Sequence, residues 1–274
     1  MPNEIYQRAP VQFVSLRVRF PLSPRLQAPG GKEQVYEHLA ERFPILDAIE
    51  GGFRLQLPPG IGAPMGGQPA GGPQQLRMTN RERSRSFTLG PRMLLFECTD
   101  HESFDVLRDV VSPALQALLD VASPAGLNDV TLKYVDEIRH PAVASLRDWQ
   151  GLIDERLIGP SELLDTQPQQ TGGVAVYQLS EEHQVRVTYG AAPEGFVVDP
   201  NGPLRVQKHE DGPLFQLDIE SEWTSPAESV PLFSVQDVLT IADRLHNPVH
   251  DVFENAITPQ LRDYFRGTGD DGSQ

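Results

Sequence analysis

Residues 234–265, SVQDVLTIADRLHNPVHDVFENAITPQLRDYF, decide how the rest of this chain is read. Val235, Val238, Ala242, Leu245, Val249, Val252 and Ala256 recur at spacings of three and four, which gathers them on one stripe of an α-helix. A helix that is apolar along one side needs a second layer to cover it, and a sheet supplies one. Ser234 stands where an N-cap belongs, with Asp237 three residues on as an acidic form of the capping box. Pro248 removes one helical hydrogen bond, so a kink is predicted there, and Thr258-Pro259 separates a short last helix ending at Phe265.

Strands and helices alternate through the remainder. Residues 11–20 read as a strand with Val14, Leu16, Val18 and Phe20 on one face and Phe13, Arg17 and Arg19 on the other. A helix is predicted over 33–49, with Val35, Leu39, Phe43 and Leu46 inward and Pro44 as a kink or stop. A short strand at 53–57 leads into PPGIGAPMGGQPAGGP, a run too rich in glycine and proline for a regular element. Strands follow at 76–89 and 92–99, then a helix over 102–122 with Pro113 inside it. A second round starts near Asn128: a strand at 129–138, a helix at 146–157, strands at 173–179, 184–190 and 213–223, and the long helix.

The element order therefore predicts an α+β fold of two tandem β-α-β-β-β-α halves, with antiparallel sheets each backed by a long helix. The halves are 1–127, carrying a flexible Gly/Pro loop at 58–75, and 128–266, with a disordered tail at 267–274.

A chain of 274 residues, 39% of them hydrophobic, can bury a substantial core. No run approaches the roughly 20 apolar residues of a membrane helix, and MPNEIYQRAP lacks the basic-then-apolar pattern of a secretory leader. The expectation is a cytoplasmic protein without a membrane partner. The one cysteine, Cys98, sits among Leu94, Leu95, Phe96 and Thr99 and reads as a buried structural thiol. A net charge of −15 disfavours indiscriminate binding to nucleic acid. It leaves room for a local basic face.

Arg77, Arg81, Arg83 and Arg85 are all odd-numbered, so on one extended strand they point the same way. Arg17 and Arg19 face away from their strand's apolar side, as does Arg186 between Val185 and Val187. Converging guanidiniums would grip phosphate or carboxylate groups bidentately. The structural alternative is a solvated face whose arginines pair with acids such as Glu82, Glu97 and Asp136 across strands. Asp218, Glu220 and Glu222 likewise share one strand face, a solvated line of acids or a surface for the opposite half's arginines. His246 and His250 have the i, i+4 spacing of zinc ligands, with Glu254 one turn on, but Asn247 and Pro248 follow the first histidine where a metalloprotease needs glutamate. Nucleophile motifs are absent: no G-x-S-x-G elbow and no Ser-x-x-Lys.

Three local patterns carry a resemblance: Tyr6-x-x-Ala9-Pro10-Val11 entering a strand that ends Arg19-Phe20, the central Leu132-Lys133-Tyr134-Val135-Asp136-Glu137-Ile138, and Leu245-His246-x-x-x-His250-x-x-x-Glu254-x-x-Ile257-Thr258. Across nearly its whole length the chain resembles a sporadically distributed family of uncharacterised bacterial proteins, in which the central strand often reads arginine-tyrosine-valine-asparagine. Here Lys133 and Asp136 replace the first and last of these. The resemblance implies a bacterial source and no catalytic residues, and the family's distribution suggests a component of a multi-protein defence or toxin-control system. The residues themselves favour a non-catalytic binding protein without a cofactor. Arg17, Arg19, Arg81, Arg83 and Arg85 are its anion- or partner-binding candidates, for an anionic ligand or an acidic protein. A metal-dependent hydrolase using His246, His250 and nearby carboxylates is the alternative.

Overall fold

The computed structural model describes residues 6–49, 75–159, 166, 168–206 and 211–267. The predicted strand at 53–57, most of the Gly/Pro loop and the tail at 268–274 lie outside these residues. Among the described residues nine strands form one antiparallel sheet. In chain order they are β1 (Val11–Arg19), β2 (Ile45–Ile49), β3 (Gln75–Thr79), β4 (Arg85–Gly90), β5 (Met93–Cys98), β6 (Asp129–Ile138), β7 (Thr171–Gln178), β8 (His183–Ala192) and β9 (Leu214–Thr224). Across the sheet they run β2-β3-β4-β5-β1-β6-β9-β8-β7. Mixed helix and antiparallel sheet is as the sequence predicts. The strands of the two stretches do not make separate sheets, because β1 pairs directly with β6 at the centre.

The helices are α1 (Pro24–Gln27), α2 (Gly31–Leu39), α3 (Phe104–Ala122), α4 (Glu155–Ile158), α5 (Val235–Ala256) and α6 (Pro259–Phe265). α5 packs on β6 and β9, while α3 packs against α2 and α5. The anticipated stripe on α5 does what its spacing requires: Val238, Ala242, Leu245, Val249 and Ala256 are buried, and Val235 and Val252 pack partly buried against the same core. Each fully buried valine or leucine contributes roughly 2 kcal/mol. The Ser234 hydroxyl caps the helix by accepting from the Asp237 amide at 3.3 Å, and Thr258 caps α6 in the same way.

Three predicted elements are different. The helix expected over 33–49 ends at Leu39, and after Pro44 the chain is strand β2, which leaves Leu46 on the surface. The helix expected over 146–157 is a single 3-10 turn, Leu146–Trp149, and the four-residue α4, separated at Gly151, whose φ of 84° no ordinary helical residue adopts. The strand expected over 76–89 is a hairpin, taken up below.

Register fixes the faces. Leu16 lies opposite both Phe96 and Leu132, and all three are buried on the side of the helices. Phe43, Phe87 and Phe96 pack there at inclined ring angles, Phe43 edge-on to Phe87, with centroid distances of 4.9 and 5.1 Å. The connection from β8 to β9 crosses the end of the sheet. Arg139 holds it by donating to the carbonyls of Gly195 and Gly212 while also pairing with buried Glu137, which accepts the Val197 amide. Among the described residues no helix is long and apolar enough to cross a membrane.

Asp136 is the costly residue of this core. It is 1% exposed, no donor among the described residues reaches its Oδ1, and burial, reinforced by the Asp218 carboxylate, pushes its pKa up to about 8. The unfolded chain ionises this group near its ordinary value of 3.8, so the folded state retains a proton that the unfolded state has lost. Stability supplied by the neutral form is therefore present in acid and falls as pH rises from about 4 to about 8. Asp136→Asn removes the titration. In urea denaturation the variant is expected to match the parent near pH 4 and to exceed it progressively, reaching more than 1 kcal/mol by about pH 8; parallel curves would refute the protonated assignment.

Candidate functional site

The predicted arginine stripe depends on one uninterrupted strand, and Asn80 interrupts it. Its Oδ1 accepts from the amides of Ser84 and Arg85, both at 2.9 Å, and its carbonyl accepts from the Arg83 amide at 3.1 Å. This side-chain-to-backbone pattern closes a turn. Arg83 completes it in the left-handed region, φ 57°. Arg81 and Arg83 consequently sit in the hairpin loop between β3 and β4, and the chain reverses before Arg85.

Reversal changes which way Arg85 points. It lies opposite Cys98 in the β4·β5 register, on the helix side, whereas Arg77 lies opposite Thr88 on the far side. Arg85 Nε donates to both carboxylate oxygens of Asp100 at 2.8 and 2.9 Å, and its Nη2 donates to Glu102 at 2.9 Å. Two acids thus occupy the fork that would grip a ligand. The expectation that Arg77, Arg81, Arg83 and Arg85 share one face is corrected accordingly.

Arg17 and Arg19 are on the face away from the helices, as predicted, and are joined there by acids from the second stretch of the chain. Arg17 Nη2 donates to Thr131 Oγ1 at 2.9 Å and lies 3.5 Å from Glu222 and 3.7 Å from Asp129. Arg19 lies 3.5 Å from Asp129. Asp129 is buried, and burial raises its pKa while Arg19 and Arg17 lower it. The same face carries Arg77 with Glu97 at 3.3 Å and Lys133 with Asp218 at 2.7 Å. Asp218, Glu220 and Glu222 do share it, and two of the three are used by cations, Asp218 by Lys133 of the adjoining β6 and Glu222 by Arg17 of β1, one strand further on. This is the cross-strand pairing the sequence offered as the structural alternative.

Arg81 and Arg83 are different. Both are exposed, and neither side chain forms an ion pair or hydrogen bond among the described residues. Arg205 joins them. Its amide donates to the Arg83 carbonyl at 2.7 Å, its carbonyl accepts from Thr99 Oγ1 at 2.6 Å, and its own side chain is exposed and unpaired among the described residues. Sequence reasoning missed Arg205 because it lies in an irregular connection more than a hundred residues away.

On the helix side, His101, Tyr134, His246 and Phe104 form a second cluster. The Phe104 and His246 rings stack at 4.2 Å, and the His101 ring meets the Tyr134 ring edge-on at 5.1 Å. Burial lowers the pKa of both histidines to about 4, helped at His101 by His246 and at His246 by His250. Nearby Cys98 is buried and its thiol is pushed up to about 12 by burial and Asp100. A protonated thiol is a poor nucleophile. Among the described residues no group of three or more histidine, cysteine or carboxylate side chains is placed to hold a metal ion, so His246 and His250 gain no further ligand there.

The arginines thus divide into paired and free. Arg17→Met is expected to destabilise the fold by about 1–2 kcal/mol, because it leaves Asp129 and Glu222 without their shared cation, and Asp129→Asn should recover part of that loss. Arg81→Ala should stay within about 0.5 kcal/mol of the parent. Equal losses in urea denaturation would contradict the division. Compared with known proteins, the chain matches no family model and no curated sequence.

Proposed function

We propose that this chain is a non-catalytic binding protein of the bacterial cytoplasm that meets an anionic ligand or acidic partner through the β3–β4 hairpin. The observation carrying this reading is the gathering of three exposed arginines, Arg81, Arg83 and Arg205, unpaired among the described residues, on one ordered hairpin and the segment bonded to it, whereas the arginines of β1, β3 and β4 contact acids. Guanidiniums held on an ordered turn lose less freedom on binding a carboxylate or phosphate than arginines on a free tail. Glu82 in the same turn sets a limit on how negative a neighbouring surface can be tolerated.

Of Arg17, Arg19, Arg81, Arg83 and Arg85, Arg81 and Arg83 form the working pair, joined by Arg205. Arg17, Arg19 and Arg85 support the surface by holding acids in place. An internal duplication belongs to the same reading and is supported by the strand order, β1-β5-β4-β3 outward from the centre on one side and β6-β9-β8-β7 on the other, with β2 as an addition to the first half.

The test is titration of a fluorescent poly-glutamate peptide and, separately, of inorganic phosphate. Binding is expected to weaken as salt rises and to fall at least about tenfold in the Arg81→Glu/Arg83→Glu double variant, with its melting temperature unchanged. Affinity for both probes that survives the double reversal would reject the hairpin as the site.

A further inference from the structure

Strand β7 forms one end of the sheet, and among the described residues nothing pairs with its outer edge. Natural edge strands are blunted by charge, proline or a bulge. β7 has none of these: its eight residues, TGGVAVYQ, carry no charge and pair with β8 in unbroken register. The opposite edge, β2, does carry a charge, Asp47, and is entered through Pro44.

Apolar side chains stand on both faces of β7. Val174 and Val176 are 47% and 52% exposed on the face shared with Arg186 and Thr188, and Tyr177 is 54% exposed on the other. Leu179, just beyond the strand, is 53% exposed. A strand apolar on both faces has the pattern of an interior strand.

The direction of its free backbone groups follows from the turn. The Leu179 amide donates to the His183 carbonyl at 2.8 Å, and in an antiparallel ladder this bonding alternates. Odd-numbered residues of β7 therefore bond to β8, while Gly172, Val174, Val176 and Gln178 turn their amides and carbonyls outward.

We infer that β7 pairs with β7 of a second copy of this chain, antiparallel across a twofold axis at Ala175. That register alone places all four outward residues opposite outward residues, Gly172 with Gln178 and Val174 with Val176, each twice, for about eight backbone hydrogen bonds. It sets Val174 against Val176 on one face. On the other it brings Tyr177 of each copy beside Gly173, whose side-chain position the Tyr189 ring already fills, so that the two aromatic rings adjoin there. The two chains of −15 repel over most of their surfaces, but the paired strands themselves carry no charge, so the seam is where that repulsion is least. The result is a continuous antiparallel sheet through both copies.

Three variants of the full chain test this by sedimentation across a dilution series. Val176→Pro removes an amide that β8 does not use, and Val176→Lys adds an edge charge. Each is expected to keep the parent's melting transition and weaken dimerisation at least about tenfold. Ala175→Cys is expected to form an intermolecular disulfide with oxidised glutathione, since residues at a non-hydrogen-bonded pair approach to about 4.5 Å between Cα atoms, within bonding range. Arg81→Glu/Arg83→Glu should leave the dimer intact, separating this inference from the hairpin reading. A parent that remains monomeric at every concentration overturns the proposal, even if its edge accepts an extended peptide. A dimer that survives folded Val176→Pro and Val176→Lys also overturns it.

Discussion

The pairing of β1 with β6 is the constraint on which the rest of the architecture depends. Side chains alternate along a strand, so a register between two central strands assigns every residue beyond them to a face. With Leu16 opposite Leu132, both lie beneath the helices, and Arg17 opposite Thr131 is sent to the other side. A slip of β1 by one residue against β6 would turn Arg17 and Arg19 toward the helices and expose Val14, Leu16 and Val18. The loss of burial and the desolvation of two guanidiniums would both oppose it. The ionic lattice on the far face is thus a by-product of the register that seals the core. Continuity carries the assignment outward to Arg77 on one side and Arg186 on the other.

How much of this was legible in the sequence depended on whether the deciding signal was local. α5 was legible almost residue by residue, since periodicity, N-cap and terminal proline agreed along 234–265. The strand faces of Arg17 and Arg19 were legible for the same reason. The hairpin was not, because parity was counted through Asn80 as if the chain continued straight, and a turn built on one asparagine side chain outweighs strand propensity. Nor could spacing show that β1 and β6 would join into one sheet: each presents the same alternation whether its neighbour is near or far along the chain. Arg205 was invisible because a connection without periodicity gives no hint of where it docks.

The charge balance reads differently once pairs are assigned. A protein with fifteen more acids than bases has little reason to expose bare cations, and Arg17, Arg19, Arg77, Arg85 and Lys133 all contact carboxylates. Several of those carboxylates are themselves buried enough for their pKa values to rise, as at Glu97, Asp129 and Asp218, where desolvation outweighs the adjacent cation. Such pairs add specificity to the strand arrangement more than net stability. Against that background the three guanidiniums gathered at the β3–β4 hairpin, unpaired among the described residues, stand out. Lys133 and Asp136 fall on opposite faces: one joins the lattice through Asp218, the other is sealed in the core.

The connection between β8 and β9 acts as a strap. Four strands lie between β4 and β8 in the sheet, yet Arg205 is fastened to the hairpin beside β4 while Gly195 and Gly212 are fastened at β6 through Arg139. A twisting sheet of this width is soft to bending about its long axis, and a tether anchored at its middle and near one flank stiffens that motion. Force applied at the hairpin would be shared with the far wing through this tether, bypassing the row of strands between them.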